Sequence, residues 1–207
     1  MTRRDFAQAF DVSCETMSRL TDYVSLLQKW SKAINLVGAN DVNDIWSRHI
    51  MDSGQLVNHI PKQARHLVDL GSGAGLPAIV AAIMASELIP DLRFTLIESD
   101  KRKAAFLREA CRQSSISATI RAERAENIEP LDADVVTSRA FAPLRDLLGH
   151  AITIAPRAQM LLLHKGRQAE CEIADARVDW EFSVTKIASR TSPDGCILQI
   201  TDLGAHL

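Results

Sequence analysis

Residues Val68 to Pro77 read Val-Asp-Leu-Gly-Ser-Gly-Ala-Gly-Leu-Pro, with three glycines at alternate positions between a short apolar run and a longer one. Glycine has no Cβ and tolerates positive φ, so such a turn lets backbone approach a ligand closely. The following run, Pro77–Leu88, has the length of a helix. The next apolar run, Phe94-Thr95-Leu96-Ile97, closes on an acid, Glu98. A strand, a glycine turn, a helix and an acid-terminated strand constrain the chain to an alternating α/β architecture with a pocket for a nucleoside-bearing ligand. Taken alone, the glycines also fit a tight turn that binds nothing.

Glycine spacing narrows the ligand. A dinucleotide turn wants G-x-G-x-x-G, and its third glycine place is held here by Leu76. A P-loop needs Gly-Lys-Ser/Thr after the turn, and Leu76-Pro77-Ala78 supplies none of it. The pattern D-x-G-x-G-x-G beginning at Asp69 resembles the first motif of S-adenosylmethionine (SAM) methyltransferases. SAM carries no phosphate, so no lysine is required. Asp69 is placed to meet its cationic amino acid portion directly or through water, and Glu98 to accept hydrogen bonds from ribose hydroxyls.

Beyond Arg65 short apolar strands alternate with helices. Strands are predicted at His66–Leu70, Arg93–Glu98, Ala118–Arg121, Val135–Ser138 and Met160–Leu163, with helices at Pro77–Leu88, Lys101–Arg112, Pro143–Ile154 and Gln168–Ala176. Phe182–Ile187 and Cys196–Thr201 flank the turn-rich segment Ser189–Gly195 and read as an antiparallel hairpin. The result is a mostly parallel seven-stranded sheet covered on both faces. Residues 1–62 read instead as a helical extension packed on a domain spanning 63–207. Ser13 caps a helix whose apolar positions Met17, Leu20, Val24, Leu27 and Ile34 recur every three or four residues. That helix is expected to end between Asn35 and Asn40. A second is expected to begin after Asp41 or Asn43 and to run to Ile60, ahead of Pro61.

The 207 residues suit one sizeable domain, and 46% hydrophobic with 24% charged residues is ordinary for a globular protein. Cys14, Cys111, Cys171 and Cys196 are scattered with no C-x-x-C pair, which fits reduced thiols and disfavours a zinc site. The N-terminus leads into no apolar core of signal-peptide length, and the longest apolar run, Ala78 to Ala85, is too short to span a bilayer. A cytoplasmic protein with no membrane partner and no metal is therefore expected. The net charge of −2 neither supports nor excludes an RNA substrate. Local basic clusters exist around Arg102, around Arg121 and at Lys165 with Arg167.

In open α/β sheets ligands bind beyond the carboxyl ends of the strands, at the point where strand order reverses. Besides the Gly71 turn and Glu98, that rule nominates Arg121 to Glu126, Ser138-Arg139-Ala140-Phe141 and His164-Lys165-Gly166. Arg139 offers a planar fork suited to a carboxylate, a phosphate or a stacked purine, and an ion pair with Asp132 or Asp134 is the competing account. The Lys165 charge suits an RNA phosphate, or is simply solvated in a turn. Asn35, His49 and Asp52 read either as a lip over the pocket or as a helix cap and a His–Asp pair pinning helix to sheet. The residues alone leave three functions open: an RNA methyltransferase, a SAM enzyme acting on a small molecule or protein, and a nucleotide-binding module without methyl transfer.

Several segments together resemble the RsmG (GidB) family of bacterial 16S ribosomal RNA methyltransferases across nearly the whole chain. They are Trp30 with Asn35-Leu36, Arg48-His49-Ile50-Met51-Asp52-Ser53, Asp69–Pro77, Leu96–Ser99, Lys103 with Phe106-Leu107, Ser138-Arg139-Ala140-Phe141-Ala142, and Lys165-Gly166. The glycine turn is common to many methyltransferases, whereas the segments around His49 and Arg139 are far more specific. The resemblance implies a class I SAM-methyltransferase (Rossmann-like) fold and methyl transfer from SAM to ring nitrogen 7 of one guanine in 16S rRNA. The substrate would be met within the 30S subunit or an assembly intermediate by a monomeric enzyme. It implies cofactor contacts at Gly71, Leu76, Ala125, Glu126 and Arg139, to which the ribose argument adds Glu98 and the turn itself adds Asp69 and Gly73. Arg139 is the candidate for orienting the reactants, with His49, Asp52 and Lys165 as further catalytic candidates. Ala78 stands where family members often carry glycine, and one methyl at a helix start leaves the pocket open.

Overall fold

The computed structural model describes residues 2–38 and 44–206. Two helices open the chain, α1 (Arg3–Phe10) and α2 (Cys14–Ser31). The first was not anticipated individually, although Thr2 and Asp5 form a reciprocal capping box, a signal the sequence carried. Ser13 caps α2 as expected, its hydroxyl accepting from the Thr16 amide at 3.1 Å. The helix stops at Ser31, before Ile34, closing in a tighter turn in which the Ala33 amide donates to the Trp30 carbonyl at 2.9 Å. Ile34 still packs on the core, from the turn. The expected start of the next helix, at Asp41 or Asn43, lies outside the described residues, as does Asn40. From Trp46 to Ile50 the backbone forms a π-helical turn that leads into α3 (Met51–Val57).

Then strands and helices alternate: β1 (His66–Leu70), α4 (Ala78–Leu88), β2 (Arg93–Ile97), α5 (Lys101–Gln113), β3 (Ala118–Arg121), β4 (Val135–Arg139), α6 (Leu144–Ile154), β5 (Met160–Lys165), α7 (Ala169–Ala176), β6 (Trp180–Ala188) and β7 (Cys196–Ala205). The sheet order is β3-β2-β1-β4-β5-β7-β6. The first five strands are parallel, and β7 runs antiparallel to both β5 and β6. The C-terminal hairpin thus enters the sheet through its second strand, a detail that spacing does not specify.

Helix α4 is apolar all round, with Ala78 through Ala85 buried. A helix with no polar face needs neighbours on every side. Here the sheet lies on one side and α2 and α3 on the other, so the N-terminal helices share one continuous core with β1, β2 and α5. A second core, on the opposite face of the sheet, is closed by α6 and α7. Among the described residues no helix is long and apolar enough to cross a membrane.

Candidate functional site

Strand order reverses between β1 and β4, and two cavities open at the carboxyl ends of the strands there. The first, about 390 Å³, is lined by Gly71 to Ala74, Leu76, Ile97 to Ser99, Ala125, Arg139 and Phe141, among others. That volume lies within the usual range for small-molecule sites. The second, about 970 Å³, lies beyond β4 and β5 and is lined by Asp52, Lys165, Glu172 and the segment around Ser189 to Cys196. His49, Arg139, Ala140 and Phe141 line both, so these four residues form the boundary.

The glycine turn has left-handed backbone at all three glycines, with φ of 68° at Gly71, 53° at Gly73 and 79° at Gly75. Each glycine does a different job. A Cβ on Gly71 would stand 2.3 Å from the Phe141 ring, and one on Gly75 would stand 2.3 Å from Ile79. A Cβ on Gly73 would meet nothing nearer than the Gly71 carbonyl at 3.7 Å and Glu98 at 4.0 Å. Gly73 lines the first cavity, so its missing side chain is cavity volume. The turn is held from three sides. The Ser72 amide donates to the Ile97 carbonyl at 3.0 Å, and the Gly73 amide donates to Glu98 Oε2 at 2.8 Å. From α2, the Tyr23 hydroxyl donates to the Ala74 carbonyl at 2.6 Å. Tyr23 is fully buried, and burial pushes its hydroxyl pKa far above the usual value, so it stays a donor. Sequence reasoning missed it, although the chain's single tyrosine, three residues after Leu20 on the apolar stripe, was a visible cue.

Glu98 is buried at the end of β2. Its Oε1 accepts from the Asp100 amide at 2.8 Å and its Oε2 from Gly73. A carboxylate has about four acceptor positions, so two remain for hydroxyls in the cavity. Asp69 behaves differently. It does not line either cavity but lies 1% exposed beneath the turn, where Thr137 donates to its Oδ1 at 2.6 Å. Its Oδ2 is buried with no hydrogen-bond partner among the described residues, and burial raises its pKa from 3.8 to about 6. An orphaned buried carboxylate oxygen under a glycine cradle matches a ligand that brings positive charge or a bound water. Turn, orphaned oxygen and spare acceptors at Glu98 therefore fit SAM.

Of the other residues singled out, Ala125 lines the first cavity, whereas Glu126 is exposed and lines neither. Leu36 and Val37 reach the first cavity, while Asn35 is exposed beside them. Phe141, Lys103 and Glu123 also line it.

Arg139 donates from Nη2 to His49 Nδ1 at 2.5 Å. Guanidinium only donates, so His49 Nδ1 accepts and the imidazole is held neutral with its proton on Nε2. The two acids weighed as partners for Arg139 are engaged elsewhere. Asp134 accepts from the Arg65 and His66 amides, and Asp132 faces Arg157 at 3.6 Å. Lys165 is drawn inward: its Nζ donates to Glu172 at 2.6 Å and to the Ala142 carbonyl at 2.9 Å, with 9% of its side chain exposed. Glu172 also accepts from the Leu144 amide at the start of α6. Lys165 is thus a strut that fixes the segment after Phe141, and this leaves little of its charge for a phosphate. Arg102 lies across Asp100 at 3.4 Å with 74% of its side chain exposed, so solvent-screened pairing leaves it available. Asp52 accepts from the Ser189 hydroxyl at 2.8 Å.

The family model described as "rRNA small subunit methyltransferase G" (GidB) matches residues 16–194. A Ribosomal RNA small subunit methyltransferase G from Cereibacter sphaeroides is 45% identical over 208 residues, covering 100% of both chains. The protein of that name from Rhodospirillum centenum is 46% identical over 199 residues, 96% of this chain and 90% of its own. Among solved structures, a putative O-methyltransferase from Klebsiella pneumoniae superposes with a TM-score of 0.59 at 16% identity, covering 96% of this chain and 95% of that one. The O-methyltransferase from Bacillus cereus, in complex with SAH, gives a TM-score of 0.59 at 12% identity over 97% and 100%. These two likenesses speak for the fold.

Proposed function

This chain belongs to the GidB family of rRNA small subunit methyltransferases G, and we propose from that premise that it methylates ring nitrogen 7 of guanine 527 in 16S rRNA. The cofactor of this rRNA methyltransferase is SAM. The observation that carries the finer reading is the pair of cavities meeting at His49, Arg139 and Phe141, one of cofactor size and one larger. In this reading Gly71, Gly73, Leu76, Glu98 and Ala125 hold SAM, with Asp69 acting from beneath the turn. Arg139 serves both sides of the boundary. Residues 1–62 are an extension of the catalytic unit 63–207 rather than a separate domain, tied to it by Tyr23 and the shared core. The enzyme acts as a cytoplasmic monomer on the 30S subunit or an assembly intermediate.

When bound, SAM supplies a methyl group on a positively charged sulfur. Ring nitrogen 7 of guanine has a free lone pair and no proton, so the protein needs no general base, and its task is alignment. Well-oriented reactants recover roughly 7–11 kcal/mol of barrier. Phe141, fixed against Gly71 and edge-on to His150 at 5.4 Å between ring centres, offers an aromatic wall common to both cavities. Arg139, steadied by His49, sits where it can orient substrate. Its positive charge beside a purine that becomes cationic favours product release. The target nucleotide must be unpaired or splayed out to reach this boundary.

Nucleoside mass spectrometry of 16S rRNA from cells with and without the protein tests the reading. A 7-methylguanosine that disappears with the gene and returns with purified protein and SAM is expected. Identical nucleoside profiles would refute it.

A further inference from the structure

Nitrogen 7 is present in adenine as well as guanine, so the methyl-transfer chemistry does not itself choose the base. The choice has to come from another edge. When nitrogen 7 faces the cofactor cavity, the opposite edge of the purine points into the 970 Å³ cavity. In guanine that edge carries two parallel donors, N1–H and the 2-amino group, whereas adenine offers a bare acceptor at N1. A carboxylate accepts both guanine donors at once and repels the adenine acceptor.

Among the described residues three carboxylates line this cavity: Asp52, Glu172 and Asp175. Glu172 is occupied by Lys165 and by the Leu144 amide. Asp175 is exposed on α7, where water competes for it. Asp52 is sheltered, with 13% of its side chain exposed. Its Oδ1 accepts one hydrogen bond, from Ser189, and its Oδ2 accepts none among the described residues. His164 Nε2 lies 3.6 Å from Oδ2 and donates to the Asp52 backbone carbonyl at 3.1 Å. Burial lowers the His164 pKa, so a neutral imidazole stands beside Asp52. Asp52 lies three residues beyond the boundary residue His49 on one continuous helical stretch, about 4–5 Å along its axis. That offset is on the scale of a purine.

We propose that Asp52 determines base specificity by accepting the N1–H and 2-amino donors of the target guanine. This rests on the nitrogen-7 reading above. The test uses the full-length enzyme and 30S subunits assembled on ligated 16S rRNA carrying guanosine or inosine, which lacks the 2-amino group, at the target position. With the wild type, inosine should lower kcat/KM by roughly 10- to 100-fold, the cost of leaving a charged acceptor unpaired. Asp52→Asn keeps the oxygen that accepts from Ser189 but presents an amide donor to the base. It should lose a similar factor on guanosine, and its inosine penalty should shrink to about 2-fold, within the scatter of one weak contact. Asp52→Glu, which retains the charge, should keep a measurable penalty. SAM affinity by calorimetry should be unchanged in both variants, which reports on folding. A wild type indifferent to inosine, or an Asp52→Asn variant with the wild-type penalty, overturns the assignment. Absence of 7-methylguanosine from the wild-type reaction overturns the nitrogen-7 reading instead.

Discussion

Gly73 and Gly75 stand two residues apart in one turn with the same backbone hand, yet replacing each by alanine should damage different properties. For Gly73→Ala, φ of 53° costs an alanine roughly 1–2 kcal/mol. Loss of unfolded-state freedom returns about 0.4–1 kcal/mol. The new methyl meets nothing closer than 3.7 Å. The net penalty is about 1 kcal/mol, a fall in Tm of about 2–4 °C for a chain of this size. Gly75→Ala carries the same backbone cost at φ of 79° and also drives its Cβ to 2.3 Å from Ile79 and 3.1 Å from Leu107. Overpacking adds about 1–3 kcal/mol, so its Tm should fall about three times as far. Binding should follow the opposite order, because Gly73 lines the first cavity, proposed above to hold SAM, and Gly75 does not. At a SAM concentration about 100-fold above the wild-type Kd, the ligand stabilises the wild type by about 2.7 kcal/mol. If the Gly73→Ala methyl weakens binding 10-fold, that gain falls to about 1.4 kcal/mol. Thermal melts with and without SAM, together with calorimetric titration, measure both quantities. A Gly73→Ala variant that SAM stabilises as strongly as the wild type would refute the placement of the cofactor.

Three further outcomes are expected. Tyr23→Phe removes the strap on the Ala74 carbonyl and should cost about 1–3 kcal/mol, visible in urea unfolding together with weaker SAM binding; unaltered values for both would dismiss the strap. Asp69 has its pKa raised to about 6 in the folded protein, so between about pH 4 and pH 6 the folded state holds a proton that the unfolded state has released. Its contribution to stability is therefore present below pH 4 and lost as pH rises to about 6, on the order of 2–3 kcal/mol. Asp69→Asn should lack that slope, and superimposable stability–pH curves would contradict the buried carboxylate. Arg139→Ala should lower methyl transfer on the order of 100-fold through lost alignment while leaving Tm within a few degrees, and full turnover at saturating substrates would remove Arg139 from the site.

Element types were legible because each has a local cause. Ser13 with the three-and-four spacing after it announces α2, and the apolar runs at His66–Leu70 and Arg93–Ile97 announce strands. Glu98 was also legible, since an acid at a strand end beside a glycine turn is a local pattern. Asp69 was visible as a residue but not in its setting, because burial beneath the turn depends on Thr137, 68 positions away. Lys165 shows the same limit: the charge at a strand end is local, whereas its partners Glu172 and the Ala142 carbonyl are supplied by packing.

Taken by itself, the amino-acid sequence determined the alternating α/β order, the glycine turn and the family, because propensity, periodicity and motif spacing act over a few residues. Only the tertiary structure decided that α4 is roofed by the N-terminal helices, that β7 lies between β5 and β6, and that Tyr23 locks the turn. It also brought His49 against Arg139, 90 residues away, and placed Asp52 in the wall of the second cavity. Such meetings come from burying apolar faces that single helices and strands cannot bury alone, so no local stretch of sequence encodes them.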